Sequence, residues 1–273
     1  MKRELIPEVR KTYQISFRFA CRALTISRSV AYYKPLAGED FAVIQAMQAA
    51  REEEPTAGYQ LITRMLRKQG YPWNRKRIYR VYCQLGWNKR RKRKQRLPAR
   101  DPQPLHEPEM LNESWSMDFM SDSLWSGRTF RTFNVIDDCN REVLGIDVDL
   151  NLPAERVIRK LDQIAEFRGY PKQIRCDNGP ELISHAMREW AKNHNVHLEY
   201  IKPGKPTQNS YIERLNKTYR DAVLDLFVFE TLHQVRQKTA EWMDRYNERR
   251  PHLSLGDLTP VEKREQLLVE FST

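Results

Sequence analysis

Apolar positions in the first third of the chain recur at helical spacing, in short packets. From Ser16 to Tyr33, Phe17, Phe19, Ala20 and Leu24 mark one helix, Thr25-Ile26-Ser27 reads as a turn and cap, and Arg28 to Tyr33 forms a second. A stronger pair follows. Leu61, Ile62, Met65 and Leu66 lie on one face of a helix over Tyr59 to Lys68, Gly70-Tyr71-Pro72 breaks it, and Asn74 can cap a helix from Arg75 to Leu85. Ile78, Val81, Tyr82 and Leu85 point inward there, which leaves Arg75, Lys76, Arg80 and Gln84 on the outer face. Those residue types reach phosphates and base edges when a helix enters a major groove; a solvated basic face is the plainer alternative.

The pattern changes after residue 112. Trp115 to Ser121, Thr129 to Ile136 and Val143 to Leu150 alternate as strands, with turn signals at Ser126-Gly127 and at Asp137 to Asn140. Helical spacing then returns over Pro153 to Phe167, closed by Gly169. A strand at Gln173 to Cys176, a helix at Pro180 to Asn193, a strand at His197 to Ile201 and a helix from about Gln208 to Leu226 complete the series. The order β-β-β-α-β-α-β-α predicts an α/β mixed five-stranded sheet flanked by helices, preceded by an all-α helix-turn-helix region.

Charge is divided along the chain. Of 273 residues, 47 are Lys or Arg and 36 Asp or Glu, a net of +11, yet residues 1–100 hold 24 cations against 7 anions while the remainder is net −6. A basic arm suits a polyanion; an acidic body needs another reason to approach one, and divalent metal supplies it. Lys89, Arg90, Arg91, Lys92, Arg93 and Lys94 repel one another too strongly to pack in one element, and the prolines from Pro98 to Pro108 keep the chain extended, so a linker is expected here. Cys21, Cys83, Cys139 and Cys176 are scattered, and all six histidines follow the basic run, which argues against a disulfide framework and against an amino-terminal zinc module. Mean hydropathy is −0.76, and neither an apolar run of membrane-spanning length nor a signal-peptide pattern occurs, so a cytoplasmic protein is expected.

Three carboxylates stand at element ends. Strand alternation separates Asp118 from Trp115, Met117 and Phe119; Asp177 follows a strand directly; and Glu213 shares a helix face with Asn209, Asn216 and Lys217. Three converging carboxylates without histidine or thiolate form a hard-oxygen site for Mg²⁺ or Mn²⁺, and two such ions can drive phosphodiester displacement. Singly, each reads equally well as a solvent acid, an Asx turn or a surface ion pair. Asp137 and Asp138 read as hairpin-turn residues, Asp147 and Asp149 as outward strand acids, and Glu181 as an acid at a helix N-terminus.

With thirty-five residues between the last two, Asp118, Asp177 and Glu213 resemble the DDE triad of transposases and retroviral integrases. "RCDNGPEL", "KPGKPTQNSYIERLNKTYRD" and "YNERRPHLSLGDLTP" resemble the OrfB transposases of bacterial insertion sequences in the IS-three family. "GYQLITRMLRKQGYPWNRKRIYRVYCQLG" is similar to their helix-turn-helix segment. "GYQLI" and "ERLNKTYRD" depart from the commoner wording, without removing a triad carboxylate.

The resemblance implies an RNase H-like integrase catalytic core and transposition of an insertion sequence by two-metal phosphoryl transfer. It also implies copy-out, paste-in movement through a circle, an OrfA product as fusion or partner, and a homo-oligomer on the terminal inverted repeats and target DNA at the bacterial nucleoid. The organisation expected is a helical DNA-binding segment (1–50), a helix-turn-helix (51–88), a linker (89–112), the catalytic core (113–247) and a tail (248–273). Lys205, Asn209, Asn216, Lys217 and Arg220 are expected to track DNA entering the site. Tyr246, Asn247, Arg250 and His252 match the family's carboxy-terminal phrase without evident chemistry. Two other readings stay open: a DNA-binding accessory protein without catalysis of its own, and an RNase H-type nuclease.

Overall fold

The computed structural model describes residues 3–33, 40–88, 107–202 and 206–270. Lys89, Arg90, Arg91, Lys92, Arg93, Lys94 and Lys205 lie outside them. The chain forms two compact units, residues 1–44 and 45–273. The first contains helices α1 (Leu5–Tyr13), α2 (Phe17–Ala23) and α3 (Arg28–Tyr32). Ser16 and Ser27 cap α2 and α3 through their hydroxyls, Thr25 turns the chain with φ of 56°, and Ala20, Cys21 and Ile6 close a small core.

The second unit takes in most of α4 (Phe41–Glu53), then α5 (Tyr59–Lys68) and α6 (Arg75–Gln84). The last two form the expected hairpin: Leu61, Ile62, Leu66, Ile78 and Val81 are buried, and Asn74 Oδ1 accepts from the Lys76 amide at 2.8 Å. A five-stranded sheet follows, built of β1 (Ser114–Ser123), β2 (Thr129–Asp137), β3 (Val143–Asp149), β4 (Gln173–Cys176) and β5 (His197–Tyr200), in the order β3-β2-β1-β4-β5. β1, β2 and β3 pair antiparallel, while β4 and β5 join in parallel. Helices α7 (Ala154–Arg168) and α8 (His185–Asn193) supply the crossovers.

The sheet is buried on both faces. Trp115, Met117, Phe133 and Val135 pack beneath α7 and α8. Met120, Phe130, Ile136 and Val148 face α9 (Ser210–Tyr219) and α10 (Leu232–Glu248). Helix α11 (Pro260–Glu270) ends the described chain. Among the described residues no helix is long and apolar enough to cross a membrane.

Two expected helices differ. The one expected from Pro180 begins at His185, because the amides of Leu182 and Ile183 both donate to the Gly179 carbonyl in a turn, and Ser184 then caps α8. Glu181 is consequently not at a helix N-terminus; it pairs with Arg131. The continuous helix expected over Gln208 to Leu226 is instead a 3₁₀ turn (Pro206–Asn209), α9 and a π turn (Arg220–Leu224), where the Asp225 amide reaches the Arg220 carbonyl at 2.8 Å. The wider turn brings Ala222, Val223 and Leu224 into the core together.

Candidate active site

Asp118 lies on the central strand β1, on the face covered by α9 and away from Trp115 and Met117, as alternation requires. Ser116 pairs with Arg175 on β4, so continuing that parallel register by two residues sets Asp177 beside Asp118. Glu213 comes from α9, which packs on β1 and β2. The middle of β1, the end of β4 and one helix thus direct three carboxylates toward the same space; Asp118 is mid-strand rather than at an element end as expected, because β1 runs on to Ser123 in its pairing with β2.

Asparagine side chains hold the arrangement. Asn134, opposite Asp118 on β2, donates from Nδ2 to Asn216 Oδ1 at 2.7 Å, and Asn216 Nδ2 donates to Asp118 Oδ2 at 2.8 Å. Asn209 Nδ2 donates to the Met117 carbonyl at 3.3 Å, tying the start of α9 to β1. Asp177 Oδ1 accepts from the Gly179 amide at 3.0 Å, and Asn178 Nδ2 donates to the Ile201 carbonyl at 2.9 Å. A Cβ on Gly179 would come within 3.1 Å of Asp177 Oδ1, so this glycine lets the loop fold tightly around that carboxylate.

Burial pushes Asp118 up to about 6; the Phe119 amide opposes this, the charges of Asp177 and Glu213 add to it, and Asn216 opposes it. Partial burial also raises Glu213. The carboxylates therefore feel one another. Among the described residues, however, no three His, Cys, Asp or Glu side chains stand close enough to share a metal ion. The donor set has the chemistry for a hard divalent cation, and the mutual repulsion at Asp118 is what such a cation would relieve.

Integrase core domain models match residues 108–206 and 194–260, and an HTH-like domain model matches residues 39–95. The 31.7 kDa protein of insertion element IS407 from Burkholderia multivorans is 40% identical over 93% of this chain and 92% of its own length. The chain belongs to the OrfB transposases of bacterial insertion sequences. InsK, assigned as the transposase of insertion sequence element IS150 of Escherichia coli K12, is 24% identical over 96% of this transposase and 98% of InsK. The fold is shared with the solved simian T-cell lymphotropic virus intasome in complex with PP2A regulatory subunit B56 gamma, at 13% identity and a TM-score of 0.50, over 80% of this chain and 74% of that one. The RNase H-like integrase core expected from the sequence is the fold observed.

The transposase distributes its expected DNA-facing residues unevenly. Arg75, Lys76, Arg80 and Gln84 are all exposed on α6, with Arg75 bonded to the Tyr59 hydroxyl at 3.1 Å. Lys217 is exposed and pairs with Asp221. Arg220 is engaged with Asp122 and the Ser121 carbonyl, both at 2.9 Å. Asn209 and Asn216, expected to follow the DNA, are buried and bonded to β1 instead. The expected structural acids are structural: Asp138 is fully buried and bridged to Arg175 at 3.1 Å, and Arg156 spans Asp147 and Asp149.

Tyr246, Asn247 and Arg250 of the carboxy-terminal phrase are architectural. Tyr246 is buried beside Trp242. Asn247 closes the edge of β3, accepting from the Val143 amide and donating to its carbonyl, both at 2.9 Å. Arg250 pairs with buried Glu54 at the end of α4, while Arg64–Asp257 at 2.9 Å and Lys68–Glu262 tie α5 to the same region. Asn134 escaped sequence reasoning altogether, since a lone Asn within a strand carries no signal of a partner 82 residues away.

Proposed function

We propose that this chain performs the DNA cleavage and strand transfer of its insertion sequence, with Asp118, Asp177 and Glu213 as the catalytic carboxylates. The observation that carries the reading is Asp118: a central-strand carboxylate raised by burial and then by the charges of Asp177 and Glu213, and oriented by the Asn134–Asn216 relay. The three would hold Mg²⁺ or Mn²⁺, two ions in this reaction class, which supply activation of the attacking oxygen and stabilisation of the leaving one.

In the first step water attacks phosphorus at the element end, the bond to the 3′ oxygen breaks, and a 3′-OH is freed. In the second that hydroxyl attacks a target phosphodiester, joining to its phosphorus and releasing the target's own 3′ oxygen. Asn216 keeps Asp118 facing the site, Asn209 fixes α9 against β1, and the Gly179 amide orients Asp177. We assign duplex contact to Arg75, Lys76, Arg80 and Gln84 and to the run from Lys89 to Lys94, with Lys205, Lys217 and Arg220 beside the strand entering the site. An assembly of two or more copies synapses the ends, with the OrfA product as fusion or partner.

Strand joining on the element's terminal repeats tests this, with Mg²⁺, Mn²⁺ or EDTA, for wild type and Glu213→Gln, each with and without the OrfA product. Joining that needs metal and is abolished in Glu213→Gln, with DNA binding intact, is the expected result. Equal joining by the two proteins, or tight end binding without joining in any mixture, would replace catalysis by an accessory role.

A further inference from the structure

A cavity of about 510 Å³ opens on the side of α9 opposite Glu213, among α5, the β2–β3 turn and the segment after α10. Arg64, Arg141, Arg214 and Arg250 line it, with Tyr211 and His252. Two of the four guanidiniums are already neutralised, Arg64 by Asp257 and Arg250 by Glu54. Arg141 and Arg214 make no salt bridge among the described residues, although the Arg141 charge reaches Asp138, and the exposed Glu107 is the only anion in the lining.

The arrangement is built and incompletely satisfied. The guanidinium carbon of Arg141 sits over the Tyr211 ring, 3.6 Å from its centroid, and its Nη1 is buried without a hydrogen-bond partner. His252 Nε2 is buried without one as well. Unpaired buried polar atoms are costly, and both of these can donate, since the neutral imidazole can carry its proton on Nε2. Burial and then the positive charges of Arg250, Arg141, Arg64 and Arg214 hold His252 down at about 3, so the ring sits in a strongly positive field. A cavity with forked cationic donors, an aromatic backing plate and a neutral N–H suits a tetrahedral oxyanion.

We infer that this cavity is a phosphate-binding site, separate from the carboxylates, in which Arg141 and Arg214 grip the oxyanion and His252 donates a further hydrogen bond. The inference stands whether or not Asp118, Asp177 and Glu213 are catalytic. A phosphate of the DNA backbone and a free phosphate-type anion offer the same chemistry, and the test separates them.

Full-length protein is titrated with inorganic pyrophosphate in EDTA by calorimetry, for wild type, Arg141→Gln, Arg214→Gln and Lys192→Gln, an exposed α8 lysine distant from the cavity. Wild type and Lys192→Gln should bind alike, with about a tenfold loss in either arginine variant, the size of one charge-assisted hydrogen bond. In parallel, affinity for a short duplex is followed against salt. If the backbone is the source, each arginine variant lowers the slope of log K on log salt by about one, and pyrophosphate competes with the duplex. If the source is a free anion, that slope is unchanged while pyrophosphate binding is still lost. Should a variant fail to fold, wild-type protein labelled with ¹⁵N-histidine decides: pyrophosphate must move the His252 ring resonances. No pyrophosphate binding by wild type and an unchanged salt slope, or unmoved His252 resonances, overturns the inference.

Discussion

Asn216 joins three elements through one amide: Nδ2 serves Asp118 on β1, Oδ1 accepts from Asn134 on β2, and the residue itself sits on α9. Asn216→Ala leaves the buried Asn134 Nδ2 and the Oδ2 of half-buried Asp118 without their partners, while Asp118 Oδ1 keeps the Phe119 amide. A stability loss of about 1–3 kcal/mol in urea unfolding is expected, together with a fall of at least roughly tenfold in strand joining as Asp118 loses its orientation. Unchanged joining would mean that the relay is structural only. His252 sets a pH dependence of opposite cause. Its folded pKa lies at about 3 against an ordinary 6.5, so as pH falls below 6.5 the unfolded chain takes a proton that the folded protein refuses. Stability from this residue is therefore complete above pH 6.5 and is lost as pH drops toward 3. Between pH about 6.5 and about 4.5 wild type should lose roughly 2 kcal/mol more than His252→Gln. Asp137, which burial pushes up to about 6, acts in the opposite direction but equally in both proteins, so the difference isolates His252.

At the scale of elements, all five strands were legible to within two residues at either end. Alternation at Trp115, Met117 and Phe119 and turn chemistry at Ser126-Gly127 are local signals. The late start of α8 was not legible: Pro180 is an acceptable first helical residue, and the turn that displaces the helix depends on the Gly179 carbonyl accepting two amides. The π turn after α9 was equally hidden, since it follows from what Ala222, Val223 and Leu224 bury against rather than from their spacing. Asn247 shows how an element edge is finished from a distance. Its side chain gives Val143 the donor and acceptor that another strand would supply. Asn247→Ala should cost about 1–3 kcal/mol, read by thermal or urea unfolding, and faster hydrogen exchange at the Val143 amide should accompany it. A neutral outcome would mean that water replaces both bonds.

Over the second unit as a whole, the helix-turn-helix is clamped to the core by carboxy-terminal residues. Glu54 is 4% exposed and its carboxylate meets Arg250, while Arg64 and Lys68 reach Asp257 and Glu262. Removing one member of a buried pair leaves the other charged and unpaired. Glu54→Ala should therefore lower stability by roughly 3 kcal/mol, and double substitution with Arg250→Met should recover part of it; losses that simply add would show the pair to be uncoupled. The same clamp carries two of the four arginines of the cavity, Arg64 and Arg250, so the carboxy-terminal segment with no evident chemistry in its sequence holds the α5–α6 hairpin in place.

Local information determined much of this protein. Periodicity settled the strands, the hairpin of α5 and α6 and the α/β order, because side-chain direction in a helix or strand follows from spacing alone. Residue type marked the three carboxylates as candidates and showed the charge division between a basic arm and an acidic body. Only the tertiary structure decided which polar residues serve which others. The pairing of Asn134 with Asn216, the burial of Asn209, the embrace of Glu54 by Arg250 and the convergence of four arginines on one cavity all join residues far apart in the chain. Hydrogen bonds and ion pairs across such separations depend on where packing brings the elements together, and no window of sequence contains that information.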